Sequence, residues 1–92
     1  MKIVKSQNKE IIINAKDIFH IIIDNAIDED GDATGNLDID VYFDVHPDSH
    51  SWTIASYSSM DDAIRNLDKL AKFLASDNSA GLYEMPKDSN DF

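Results

Sequence analysis

Cysteine is absent from this 92-residue chain, so neither a disulfide nor a thiolate metal site can hold it together, and packing must do so, as suits a reducing cytosol. Long apolar runs are missing too. None approaches the roughly 18 residues of a membrane span, and the opening Met1-Lys2-Ile3-Val4-Lys5 lacks the apolar stretch of a signal peptide. The expected address is therefore the cytoplasm. No Gly-rich phosphate loop, nucleophile elbow or paired-acid signature occurs, so the sequence offers no recognisable catalytic apparatus and implies no cofactor. The most telling deficit is local: residues 24–50 contain no lysine or arginine.

Carboxylates fill that segment instead. Asp24, Asp28, Glu29, Asp30, Asp32, Asp38, Asp40, Asp44 and Asp48 give it a charge of −9, within a chain total of −10. Residues 1–23, by contrast, carry Lys2, Lys5, Lys9 and Lys16 against Glu10 and Asp17. A negative field of this kind repels nucleic acid and anionic membrane and attracts a basic protein surface. Direct nucleic-acid binding and membrane binding are thus disfavoured. Hydrophobic residues at 42% are nonetheless ordinary for a globular protein, and a chain this short has material for one core.

The pattern predicts an α+β fold, an antiparallel sheet of about five or six strands with one amphipathic helix on one face. Residues 1–85 form the single domain and 86–92 a polar, flexible tail. Lys2–Ser6 and Glu10–Asn14 read as a hairpin around the turn residues Gln7-Asn8-Lys9. Ile18–Ile23 is almost wholly apolar and β-branched, which predicts a central strand or one sealed by a partner. Residues 25–36 combine two glycines with clustered acids and read as a long loop. Strict alternation then marks a strand from Leu37 to Val45, with Leu37, Ile39, Val41, Phe43 and Val45 inward and Asp38, Asp40, Tyr42 and Asp44 outward. After the turn His46–His50, Ser51–Tyr57 reads as a strand with Trp52, Ile54 and Ser56 on one face and Thr53, Ala55 and Tyr57 on the other. Ser59 is a candidate N-cap for a helix over Met60–Ala75, whose apolar stripe is Met60, Ala63, Ile64, Leu67, Leu70, Ala71 and Leu74. Asp61 with Arg65 and Asp68 with Lys72 are spaced for ion pairs on its outer face. Leu82–Met85 completes the elements as a short strand.

Three strings, Lys2-Ile3-Val4-Lys5-Ser6-Gln7, Tyr57-Ser58-Ser59-Met60-Asp61-Asp62-Ala63 and Tyr83-Glu84-Met85-Pro86-Lys87-Asp88, together resemble a loose family of small uncharacterised proteins carried by phages, prophages and other mobile elements of low-GC Gram-positive bacteria. The resemblance covers both ends and the helix but not the acidic stretch 24–50. It supplies no catalytic residues and implies only a mobile-element setting, in which small acidic proteins of the anti-CRISPR or anti-restriction type act on host machinery.

The leading candidate site is an acidic, DNA-imitating face made of Asp28, Glu29, Asp30, Asp32, Asp38, Asp40, Tyr42 and Asp44. Alternate strand residues lie roughly 6.6 Å apart, broadly the spacing of charges along a DNA strand. The basic surface of a host nucleic-acid-binding protein is the partner such a face would meet, with Tyr42 as an aromatic contact for its arginines. The same acids would equally serve as a solvated face that keeps a small protein soluble and guards a sheet edge. Two further classes remain open. One is an assembly domain that forms homo-oligomers by pairing edges or covering Ile18–Ile23. The other is a calcium module at Asp28-Glu29-Asp30-Gly31-Asp32, whose alternate acids match an EF-hand start but whose continuation fails at Ala33 and Ile39. His46 and His50 are separated by Pro47, which breaks the helix a zinc pair would need. His20 reads as structural, and no dedicated metal ligands are assigned.

Overall fold

The computed structural model describes residues 1–43, 51–77 and 80–88. The strands are β1 (Lys2–Lys5), β2 (Ile12–Asn14), β3 (His20–Ile27), β4 (Ala33–Tyr42), β5 (Ser51–Tyr57) and β6 (Gly81–Glu84), and the helix is α1 (Met60–Leu74). The α+β class is as expected. The single sheet is not: the strands form two three-stranded sheets, ordered β2-β1-β6 and β3-β4-β5. β1 pairs antiparallel with β2 and parallel with β6, so the first hairpin finds its third strand at the far end of the chain. Between β2 and β3 a single turn of 3-10 helix, Ala15–Asp17, carries the chain out of the first sheet, with the Asn14 side chain accepting the Lys16 N–H at 3.2 Å. Competition from that cap is the local reason the ladder stops.

The second sheet begins with two departures from the strand pattern. Ile18–Ile23 belongs to an edge strand, β3, and not to a central one, since β4 is its sole partner among the described residues. Residues 25–36 are a paired hairpin and not a long loop: Asn25 pairs with Leu37 and Ile27 with Ala33, and only residues 28–32 connect the strands. The extra residues on β4 form a bulge at Gly35, which takes φ +91°, a conformation open to glycine at little cost.

A second bulge decides what β5 buries. The register slips where Ile39 faces Ala55 and Asp40 faces Thr53, leaving Ile54 as the extra residue. Consequently Ile54, Ala55 and Tyr57 are all buried, although strict alternation placed Ile54 on the opposite face from the other two. The core draws on both sheets and the helix, with Val4, Ile39, Val41, Ile54, Tyr57 and Leu70 almost fully enclosed.

α1 forms where the sequence placed it. Ser59 caps it by accepting the Asp62 N–H at 3.2 Å, and Lys2 Nζ closes the other end by donating to the Leu74 and Ser76 carbonyls at 2.9 and 2.7 Å. Lys72 pairs with Asp68 at 3.0 Å as expected, whereas Arg65 pairs with Asp62 rather than Asp61. The helix is also turned from its expected orientation, burying Asp62, Ala63, Asn66 and Leu70 and leaving Met60 and Ile64 exposed. Asn66 fits inside because its amide donates to the Asp62 carbonyl.

Candidate functional site: an acidic arm

The β3–β4 hairpin is an arm built largely from the acidic segment. At its tip the Asp28 and Asp32 backbones pair, Gly31 N–H closes a tight turn on the Asp28 carbonyl at 3.0 Å, and Gly31 takes φ +85°. This is the form of a three-residue hairpin connection with glycine in the left-handed position. One oxygen of the Asp28 carboxylate holds the turn, since Oδ1 accepts the N–H groups of Asp30 (2.9 Å) and Asp32 (3.0 Å). Glu29, Asp30 and Asp32 are left exposed around it.

A second group of acids lies nearer the body. Asp24 and Asp38 face each other across the ladder, on the side of the sheet opposite the core. Asp40 follows on the same side, flanked by Ile22 on β3 and Thr53 on β5. Asp38 is half-buried, and Asp40 keeps only 8% of its surface. Burial pushes the Asp40 carboxyl above the usual range, the Thr53 hydroxyl that donates to it at 2.7 Å opposes that rise, and the charges of Asp38 and Asp24 add to it. No Lys or Arg pairs with any of these three among the described residues.

The expected continuous row of carboxylates is therefore broken. Asp40 is withdrawn into the sheet because the bulge brings Thr53 opposite it, and Asp44 lies outside the described residues. Tyr42 is half-buried at the base of the arm, its ring 4.6 Å from that of His20, so it is partnered rather than displayed. Three residues lie between Asp24 and Asp28, which places them roughly 13 Å apart along the chain, and that interval carries no charge. The tip group of Glu29, Asp30 and Asp32 and the base group of Asp24 and Asp38 are thus separate clusters. Asp24 was counted in the acidic segment but not among the contact residues; its pairing with Asp38 depends on strand register, which the sequence does not display.

Among the described residues no set of three His, Asp or Glu side chains is arranged to hold a metal ion. The acids of the calcium-like spacing at the tip sit in a tight turn, in which Asp28 Oδ1 is bonded to the backbone of Asp30 and Asp32. His46 and His50 lie outside the described residues. His20 is exposed and held between the rings of Phe19 and Tyr42. Phe43, expected to face inward, is exposed, and so is Trp52. Deep in the fold, burial keeps the Tyr57 phenol protonated, with smaller contributions from Tyr83, Asp88 and Asp62, and its hydroxyl donates to the Pro86 carbonyl at 2.7 Å.

An apolar cleft of about 910 Å³, not foreseen from the sequence, lies beside β3, walled by Ile18, Phe19 and Ile21 on one side and Leu67, Ala71 and Leu74 of α1 on the other. Of those helix residues Leu67 and Leu74 also pack against the core, as their place in the apolar stripe predicts, whereas Ala71 is exposed. No helix among the described residues is long and apolar enough to cross a membrane. No protein-family model, curated protein or solved structure matches the chain.

Proposed function

We propose that this is a non-enzymatic cytoplasmic protein of a phage or other mobile element that binds a basic surface of a host protein through its acidic arm. One observation carries the reading: residues 24–40 hold seven carboxylates with no lysine or arginine among them, and they fold as one hairpin. Fixed charges of one sign on a rigid arm steer and orient a cationic partner more effectively than the same charges on a disordered tail. The contact carboxylates are Glu29, Asp30 and Asp32 at the tip and Asp24 and Asp38 at the base. In its sharper form the partner is a nucleic-acid-binding defence enzyme, and the arm occupies the basic residues that would otherwise take phosphates.

The test uses immobilised wild type beside a variant carrying Glu29→Gln, Asp30→Asn, Asp32→Asn and Asp38→Asn. Host proteins should be retained by wild type alone, be released by raising NaCl to about 0.5 M as screening shortens the field, and be displaced by duplex DNA. Retention that survives both the salt and the amide substitutions would overturn the reading. Retention that resists only the DNA would confine it to a basic protein that does not bind nucleic acid.

A further inference from the structure

The β3-β4-β5 sheet has two edges, and the molecule treats them differently. Along β5, Gln7 N–H donates to the Ile54 carbonyl at 2.7 Å. The Gln7 side chain then accepts the Ser56 N–H at 2.9 Å and donates to the Ser56 carbonyl at 3.2 Å, as a neighbouring strand would. Asp88 takes the Ser58 N–H at 3.0 Å, so this edge is covered from Ile54 to Ser58. β3, eight residues long, has no such cover among the described residues, and it contains neither the lysine nor the proline that commonly guards an open edge. Beside the polar His20, Asp24 and Asn25 it leaves large apolar side chains in water: Phe19 just before it is 54% exposed and Ile22 within it 36%.

We infer that a second copy of this chain covers the edge, β3 pairing antiparallel with β3 about a two-fold axis through Ile22. Symmetry and strand parity restrict the choices. A continuous sheet with both cores on one side requires opposing residues of equal parity, so the axis passes through a residue. Centring on Asp24 sets two carboxylates face to face. Centring on Ile23 sets Ile22 against the carboxylate of Asp24. Centring on Ile22 instead pairs Ile22 with itself, Ile21 with Ile23 of the second copy, and His20 with Asp24 of the second copy at two symmetric places.

That last pairing is the charge complementarity that selects the register. The His20 ring is already positioned by Phe19 and Tyr42, and an imidazole N–H can donate to a carboxylate. Among the described residues Asp24 has only one oxygen engaged, Oδ1 by the Asn25 N–H at 2.8 Å. The same operation brings both apolar clefts to one side of the joint sheet, facing each other across the two β3 strands. Phe19 of each copy then lies opposite Asn25 of the other.

The chain has no cysteine, so a single introduced thiol can form a disulfide only between copies. At the axis the two Ile22 Cβ atoms would be about 4.5–5.5 Å apart, close to disulfide reach; the two Ile27 Cβ atoms would be roughly 33 Å apart. Mild oxidation should therefore convert Ile22→Cys to a covalent dimer and leave Ile27→Cys monomeric. In sedimentation equilibrium the wild type should be dimeric, His20→Asp should weaken the dimer by about tenfold, and adding Asp24→His to that variant should restore it, since the pair is only reversed. Circular dichroism establishes that each variant remains folded. A wild type that sediments as a monomer up to millimolar concentration, equal cross-linking at both positions, or a failure of the double variant to recover would each overturn the dimer. None of these outcomes depends on the acidic arm having a host partner.

Discussion

Asp40 occupies a position that alternation assigns to water, yet Ile22, Thr53 and the ladder enclose it. A buried carboxylate beside two others resists ionisation, so the folded chain holds the Asp40 proton to higher pH than the unfolded chain does. The native state therefore binds more protons between the two values. Its stability from this group is gained as pH falls from neutrality through the raised value, and is lost again as pH rises. Asp40→Asn removes the charge while its amide oxygen can still accept from Thr53. The variant is expected to melt at higher temperature than wild type at pH 7 and close to wild type at pH 3. Equal melting temperatures at pH 7 would show that the site relaxes or hydrates enough to carry the charge without cost.

Gln7 shows how far one side chain can shape an element. Its amide satisfies both backbone groups of Ser56 and shares the Pro86 carbonyl with Tyr57. Gln7→Ala leaves the Ser56 N–H and carbonyl unmatched and should cost about 2 kcal/mol in urea denaturation; a loss below a few tenths would mean water replaces the amide freely. This joint explains a boundary the sequence does not display. Hydrophobic alternation locates strands and says nothing of which strand pairs with which, so the six segments were legible and their division into two sheets was not. The helix was legible from Ser59 and the 3.6-residue stripe, but its rotation was hidden because Asp62 and Asn66, polar by type, are buried through local hydrogen bonds. The arm was misread for want of its turn chemistry. Asp28-Glu29-Asp30-Gly31-Asp32 carries a capping aspartate and a glycine three residues on, the spacing of a tight hairpin, and the density of acids suggested a loop instead.

Across the molecule, charge is divided between a slightly basic opening segment and an acidic middle, with a net −10 that the fold must hold together. Mutual repulsion within the arm opposes the compact state, and salt relieves it. The melting temperature should therefore rise between about 20 and 500 mM NaCl, and the variant with four arm carboxylates replaced by amides should show a smaller rise. A melting temperature independent of salt would place those carboxylates too far apart, or too well hydrated, to act on one another.

The parallel pairing of β1 with β6 also governs when the fold can close. Lys2–Lys5 meets Gly81–Glu84 across nearly the whole chain, so this sheet cannot gain its third strand until the ribosome has released almost everything between them. The contacts within β3, β4 and β5 span far shorter loops and can form earlier. Synthesis thus has an assembly order, in which the acidic hairpin takes shape first and β1 waits for β6, which follows it in the chain.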